Sequence, residues 1–128
     1  MARNPSVPYW DHADTITCHA GADIAGKRFV AIDGPRTDGN PTIGYPTGAA
    51  KVFGVSCYDA AAGAKVTVHH QPALVVPVTA GAAVAAGDLV SSDAQGRAIP
   101  AAGGTVLGIS LDAGAEGDDL PIDRTVRG

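Results

Sequence analysis

Four histidines and two cysteines are the residues of this 128-residue chain that could bind a metal or supply a nucleophile. A structural zinc site needs paired ligands such as Cys-x-x-Cys, and a catalytic thiol needs a histidine held beside it. The sequence shows no zinc-type spacing, and two of the histidines are adjacent, so that on a strand they point to opposite faces. We therefore predict surface histidines at His12, His19, His69 and His70 and free thiols at Cys18 and Cys57.

Carboxylates are a second group of residues that could take part in catalysis or bind a cation. Asp33 and Asp93 could act as an acid–base pair, but each precedes a glycine-containing turn sequence, which favours a role in starting that turn. Five more acidic residues near the C-terminus lack the spacing of an EF-hand loop, so a solvated acidic face is expected. These five are Asp112, Glu116, Asp118, Asp119 and Asp123.

One glycine-containing segment, residues 21–27, resembles a phosphate-binding loop only loosely. Its lysine, Lys27, is followed by Arg28 instead of the Ser or Thr that such a loop requires. Residue types and spacing together predict no catalytic residue, no cofactor and no metal, so we do not expect an enzyme.

Composition restricts the remaining possibilities. The chain has 17 Gly and 9 Pro, 45% hydrophobic residues and 5% aromatic residues, which favours many short strands joined by turns over a helical bundle. Nine basic against 13 acidic residues give a net charge of −4, which does not suit phosphate-based binding of nucleic acid. No apolar run approaches the roughly 20 residues that span a bilayer, and no signal peptide is recognisable. We expect a protein made and used without secretion.

An internal repeat organises most of the chain. Residues 15–33 match residues 75–93 at an offset of 60, and residues 45–68 match residues 99–122 at an offset of 54. The first copy therefore contains about six extra residues between positions 34 and 44, which we interpret as a surface loop. Apolar positions match apolar positions throughout, which favours a duplication over chance similarity.

Each copy is predicted to form β structure, because short runs alternate polar and apolar residues with period two. The fold class predicted is all-β, a small closed barrel built from two pseudo-repeated units in a single domain, 15–128. Copy one is 15–68 and copy two is 75–122. Gly54 and Gly108 interrupt matching apolar runs and predict a close approach of neighbouring atoms. Cys57 aligns with Leu111, which predicts a buried apolar position.

Residues 1–14 precede both copies and are predicted to form an extended arm. Its prolines favour polyproline geometry, and it contains the one Trp of the chain. Two interpretations remain open. The aromatic pair could anchor the arm to a partner, or it could fold back and plug one end of the barrel. The residues predicted to contact such a partner are Pro5, Val7, Pro8, Tyr9 and Trp10.

The second copy contains the sequences VPVTAGAAVAAGDLV (residues 76–90), DAQGRA (93–98) and VLGIS (106–110). In these segments the chain resembles the DUF2190-type phage head proteins, which are regarded as capsid decoration proteins. The resemblance implies a β-rich protein that coats and stabilises an assembled head, with the major capsid protein as partner. It places the chain on the outer capsid surface of the virion, after synthesis in the host cytoplasm. Analogy with other decoration proteins implies a homotrimer with an N-terminal arm on the shell.

Two other classes of function would require features of the sequence that are scarce here. A host- or carbohydrate-binding module of a virion appendage would need exposed aromatic residues on the barrel, where only Phe29, Tyr45, Phe53 and Tyr58 are available. A small β-barrel enzyme would need convergent polar residues, which the sequence does not indicate.

Overall fold

The computed structural model describes residues 15–47, 51–70, 75–103 and 105–125. The predicted arm, 1–14, lies outside these residues. The described residues form ten strands and no helix, so the all-β prediction is confirmed. The first five strands are β1 (Thr15–Ala20), β2 (Phe29–Ile32), β3 (Thr42–Gly44), β4 (Val52–Ser56) and β5 (Lys65–His69). The second five are β6 (Val75–Thr79), β7 (Leu89–Ser92), β8 (Ala98–Pro100), β9 (Gly108–Ser110) and β10 (Asp119–Asp123).

Period-two patterns explain why these segments are strands. In β1 the side chains of Ile16, Cys18 and Ala20 are buried while Thr15 and Thr17 are exposed. The paired strand β5 shows the same alternation. One face of each strand thus fills a core and the other meets water, which fixes the register, because a shift by one residue would expose the apolar set.

The ten strands form two units with the same topology. Unit one, β1 to β5, is a closed barrel in the order β1-β3-β2-β4-β5, and unit two, β6 to β10, is a five-stranded sheet in the order β6-β10-β9-β7-β8. An isolated parallel bridge, Ala80 to Ala98, joins the outer strands of unit two where β1 and β3 pair in unit one. Both units therefore have the same cyclic order of strands, and the chain contains two five-stranded units side by side.

The strand registers confirm the internal repeat. Ile16 pairs with Val68, and the residues at the corresponding offsets, Val76 and Ile122, also pair. Outside the strands, the bridge between Ile24 and Ala60 recurs between Val84 and Gly114.

The sequence alignment was wrong by one residue at β3. Gly21 N–H donates to Ile43 O, and the equivalent bond runs from Gly81 to Ala98 O, so the offset there is 55. Five of the six extra residues therefore precede β3, and the sixth lies between β3 and β4. The segment before β3 is the predicted surface loop, with Gly34, Asp38 and Gly39 at positive φ. Small and turn-forming residues carry too little pattern to fix an alignment to one residue.

The two units differ at one seam. In unit one, His19 N–H donates to Pro41 O at 2.7 Å and helps to close the barrel between β1 and β3. The equivalent residues in unit two, Thr79 and Gly96, do not bond to each other in this way. Thr79 N–H donates to Lys27 O at 2.9 Å, and Phe29 N–H donates to Gly96 O at 2.7 Å. Residues 27–29 of unit one thus lie between β6 and β8 and complete the second unit.

The side chain of Phe29 makes this seam part of a core. Phe29 and Val55 lie on the outer face of unit one, yet both are fully buried in the apolar cluster of unit two, with Val78, Val90 and Ile122 among others. The neighbouring residue Val30 faces the opposite way into the core of unit one. A single strand, β2, therefore contributes to both cores, and the two units cannot separate without exposing Phe29.

Two further contacts cross the junction. Arg124, which is 1% exposed, donates to His69 O at 3.0 Å. Lys27 Nζ lies 2.6 Å from Asp119, but both side chains are close to half exposed, so this ion pair contributes little to stability. Lys27 also has a φ of 60°, where the equivalent residue in unit two is Gly87. Gly87 has a φ of 87°, so this turn has a positive φ in both units, and in unit one a lysine adopts the conformation that favours glycine.

The close approach predicted at Gly54 and Gly108 is confirmed. A Cβ on Gly54 would collide with His69 O, and a Cβ on Gly108 would lie 2.6 Å from Asp123 O. We expect Gly54→Ala and Gly108→Ala each to lower the free energy of unfolding by about 1–3 kcal/mol, because backbone would have to move. Urea unfolding measures this. Both positions have a φ outside the left-handed region, so contact and not backbone strain would cause the loss. Urea midpoints unchanged from the parent in both variants would contradict the role of contact.

Phe29 provides a test of the junction. We expect Phe29→Ala to destabilise the whole chain by about 3–5 kcal/mol. It leaves a cavity in the core of unit two, and it removes the side chain with which unit one contacts that core. Ile32→Ala, at a 52% exposed position on the same strand, should cost less than about 0.5 kcal/mol. Urea melts monitored by circular dichroism compare the two. If the losses were similar, the Phe29 side chain would not hold the units together.

Candidate functional site

The site predicted from sequence is the arm, and its residues, Pro5, Val7, Pro8, Tyr9 and Trp10, lie outside the described residues. The structure shows where the described chain begins. Thr15 is exposed and pairs with His69, the residue whose carbonyl accepts the bond from Arg124 of unit two. Residue 15 is therefore at the junction of the two units, and the arm is attached there.

The three described histidines do not form a metal site. No group of three His, Cys, Asp or Glu side chains within the described ranges could hold a metal ion. His70 stacks on Phe53 with ring centroids 4.5 Å apart, and its Nδ1 lies 3.2 Å from Phe53 O. His19 and His69 are half-buried on strands. The predicted surface positions are thus partly covered at all three of these histidines, whereas His12 lies outside the described residues.

Both cysteines are free thiols. Cys18 is buried in the core of unit one, and this burial, with a smaller effect of nearby Cys57, raises the pKa of its thiol to about 12. Burial also raises the pKa of Cys57. A thiol with a raised pKa is a poor nucleophile, so neither residue is suited to catalysis. The buried apolar position predicted at Cys57 was wrong. Cys57 is half-buried and its equivalent Leu111 is 53% exposed, because both face outward just after a strand.

The aspartates bind their own backbone. Asp93 accepts bonds from Gln95 N and from Arg97 N and Nε, all at 2.8–2.9 Å, which is the turn role predicted for it. In the C-terminal acidic cluster, Asp118 accepts from Ala115 N, and Glu116 lies 3.3 Å from Arg97. Asp93 and Glu116 share Arg97, and the other carboxylates of the C-terminal cluster have partners of their own, so these groups do not converge on one point as the acid–base residues of an active site would.

Segment 21–27, which loosely resembles a phosphate-binding loop, ends at the seam. Gly26 N–H donates to Asp59 at 2.8 Å, and the Lys27 ammonium is next to Asp119, whose pKa is lowered mainly by the hydrogen bond from this lysine. Two carboxylates at the C-terminal end of the segment disfavour an anion here. The sequence pattern singled out the segment but did not predict its structural role. The available signal was the Lys27 and Phe29 pair, which stands where the second copy has Gly87 and Leu89.

The four barrel aromatics give little support to a sugar-binding face. Phe29 is buried, Phe53 is partly covered by His70, and Tyr45 accepts a hydrogen bond from Ala25 N at 2.8 Å. Tyr58 is 49% exposed, and its hydroxyl accepts a hydrogen bond from Thr67 N at 3.2 Å. Nor do the described residues include a helix long and apolar enough to cross a membrane.

Comparison with known families decides the assignment. The model of the phage cement protein family matches residues 9–127. The chain belongs to this family. The resemblance to a phage head protein family is thereby confirmed, and the matched range includes the aromatic pair Tyr9 and Trp10 as well as both units.

A solved structure has the same fold. It is the head fiber gp8.5 N base of bacteriophage phi29, with a TM-score of 0.70 and 24% sequence identity, and the match covers 86% of this chain and 93% of that one. Comparison with curated proteins gave no match. As a phage cement protein, the chain is a structural protein of the phage head, with a role in decorating and stabilising it. Its two fused, tightly bonded units are suited to that role.

The thiols of this cement protein allow a direct test of core burial. In a Cys57→Ser variant at pH 8, we expect Cys18 to react with iodoacetamide at least 100-fold more slowly in the folded protein than in urea, because a pKa of about 12 leaves almost no thiolate. Mass spectrometry follows the labelling. The raised pKa also predicts that stability declines as the pH rises from about 9 towards 12, since the unfolded thiol ionises first. Equal labelling rates in the two states would contradict the buried position.

Proposed function

We propose that this cement protein binds the outer surface of the assembled head through its arm and stabilises the shell as a homotrimer. The observation that carries the proposal is the family match, which extends from residue 9 to residue 127 and so includes both the arm's aromatic pair and the two β units. The proposed partner is the major capsid protein. The fold it shares with the base of a head fibre of another phage supports a location on the head.

The arm is the proposed anchor because of its chemistry and its reach. Burying a side chain such as Trp10 on a partner contributes about 1.5–3 kcal/mol, and Tyr and Trp are enriched at the centres of interfaces. Fourteen extended residues reach about 45–50 Å, enough to cross a neighbouring subunit. The contact residues proposed are those predicted from sequence, namely Pro5, Val7, Pro8, Tyr9 and Trp10.

The body serves as the rigid partner of that anchor. Its described side chains form two apolar cores, the seam and local turns. We propose that its cementing role requires no cofactor. A domain of this kind adds stability to a shell by bridging subunits, since any ligand that binds the assembled state alone shifts the equilibrium towards assembly. We propose that chemistry plays no part in this function.

Co-sedimentation with empty heads tests the anchor. We expect deletion of residues 2–11 to leave the β units folded but to weaken head binding at least 100-fold, and Trp10→Ala to reproduce much of that loss. Raising salt should weaken binding little, because Arg3, Asp11 and Asp14 are the only charged side chains of the arm.

Tyr58→Ala is the matched control, because it removes an exposed aromatic side chain from the body of the protein. It should bind heads like the parent. A truncated protein that saturates heads at the parental concentration would exclude the arm as anchor. A truncated protein that fails to fold would instead support the plug interpretation of Tyr9 and Trp10.

A further inference from the structure

The outer face of unit two carries apolar side chains in two neighbouring rows. Strand register places Val75, Ile109 and Leu89 in one row, with Asp123 between the first two. The next row contains Pro77 and Pro121, which pair with each other, and Leu111, whose N–H donates to Pro121 O at 2.9 Å. We name the apolar members the outer apolar face: Val75, Pro77, Leu89, Ile109, Leu111 and Pro121.

This face is open to solvent within the chain. Val75 is 55% exposed, Leu111 53% and Leu89 44%, so three of the five most exposed large hydrophobic residues among those described lie here. Single exposed hydrophobic residues are ordinary on protein surfaces, whereas a contiguous group of them marks an interaction site.

Unit one provides an internal comparison, because its equivalent positions have the same backbone setting. Val75, Pro77 and Pro121 correspond to Thr15, Thr17 and Thr67, and Leu89, Ile109 and Leu111 correspond to Phe29, Val55 and Cys57. In unit one the threonines are exposed or half-exposed, and the apolar Phe29 and Val55 are covered by unit two. On this face of unit one, the threonines are therefore at the open positions and the large apolar residues are at the covered positions. In unit two every corresponding position is apolar although none is fully covered.

The side chains of the outer apolar face are uncharged, which allows a partner with the same net charge as this chain to approach it. The face contains no lysine or arginine. Of its acidic neighbours on β10, Asp123 accepts bonds from Thr125 N and Oγ1 at 2.9 and 2.6 Å, and Asp119 is paired with Lys27. Copies of a chain with net charge −4 repel one another over most of their surface, and an uncharged face is where they can approach.

We infer that a second copy of this chain covers the outer apolar face, with Leu89 and Leu111 at the centre of the contact between subunits. In unit one the positions equivalent to Leu89 and Ile109, Phe29 and Val55, are already covered by a unit of this very fold. A stable interface occupies about 800 Å² per partner, so the six side chains form its central cluster, surrounded by a polar rim. The number of copies in this inference rests on the proposed homotrimer. The inference adds which face of the chain forms the contact between the subunits.

The test is the mass of the full-length protein in solution, measured by sedimentation at several concentrations. We expect the parent to sediment as an oligomer and the double variant Leu89→Asp with Leu111→Asp to sediment as a single chain, a threefold fall in mass for a trimer. Ile32→Asp is the matched control, because Ile32 is 52% exposed but lies on unit one. It should keep the parental mass. A parent that is monomeric, or a double variant that keeps the parental mass, overturns the inference.

A second variant guards against misfolding of the first. Val75→Thr with Pro77→Thr and Pro121→Thr installs the side chains that unit one already carries in the same strands, so the fold should be retained and the mass lowered. Head binding separates this inference from the proposed function. A double variant with parental mass that no longer binds heads would assign the face to the capsid, against our inference. A monomeric parent that still binds heads would leave the proposed head binding standing and would exclude both the homotrimer and this interface.

Discussion

The insertion of residues 27–29 between β6 and β8 is the interaction on which the rest of the structure depends. Two backbone hydrogen bonds, from Thr79 to Lys27 and from Phe29 to Gly96, replace the bond that closes the other barrel. They are not strong individually, since a typical bond contributes about 0.5–1.5 kcal/mol net. Their effect comes from the Phe29 side chain, which they place in the core of the second unit. A sheet that would otherwise expose an open seam is completed by its neighbour, and the two units become one body.

The duplication explains how such a junction could arise from one fold. Both units retain the same strand order and the same register around Gly54 and Gly108, where there is no room for a side chain. What differs is the outer face. One copy carries Phe29 where the other carries Leu89, and only the former is buried. The backbone of a β unit is constrained by its ladder of bonds, whereas its outward side chains are free to change, so the units share a fold and differ in what they contact.

A head protein of this kind needs attachment and rigidity more than chemistry. Asp93 and Asp118 bind turn backbone, Asp119 forms an ion pair with Lys27, and the buried thiol of Cys18 has a raised pKa. Attachment is divided in our proposals between two parts of the chain, the arm with Tyr9 and Trp10 for the head and the outer apolar face for a second copy. Both are apolar, which suits a protein whose net charge is −4 and whose partners are large surfaces.

Period-two alternation and the paired offsets of 60 and 54 were enough to predict the all-β class, the repeat and the crowding at Gly54 and Gly108. These features depend on residues close in sequence, whose burial and backbone freedom are readable from side-chain type. The alternation could not reveal that each copy forms its own five-stranded unit or that the repeat offset changes to 55 at β3, because strand pairing joins distant residues. Nor could it distinguish Phe29 from Leu89. Both occupy the same position of the same repeat, and only tertiary structure, by placing the seam of unit two against one of them, decided which side chain is core and which is surface.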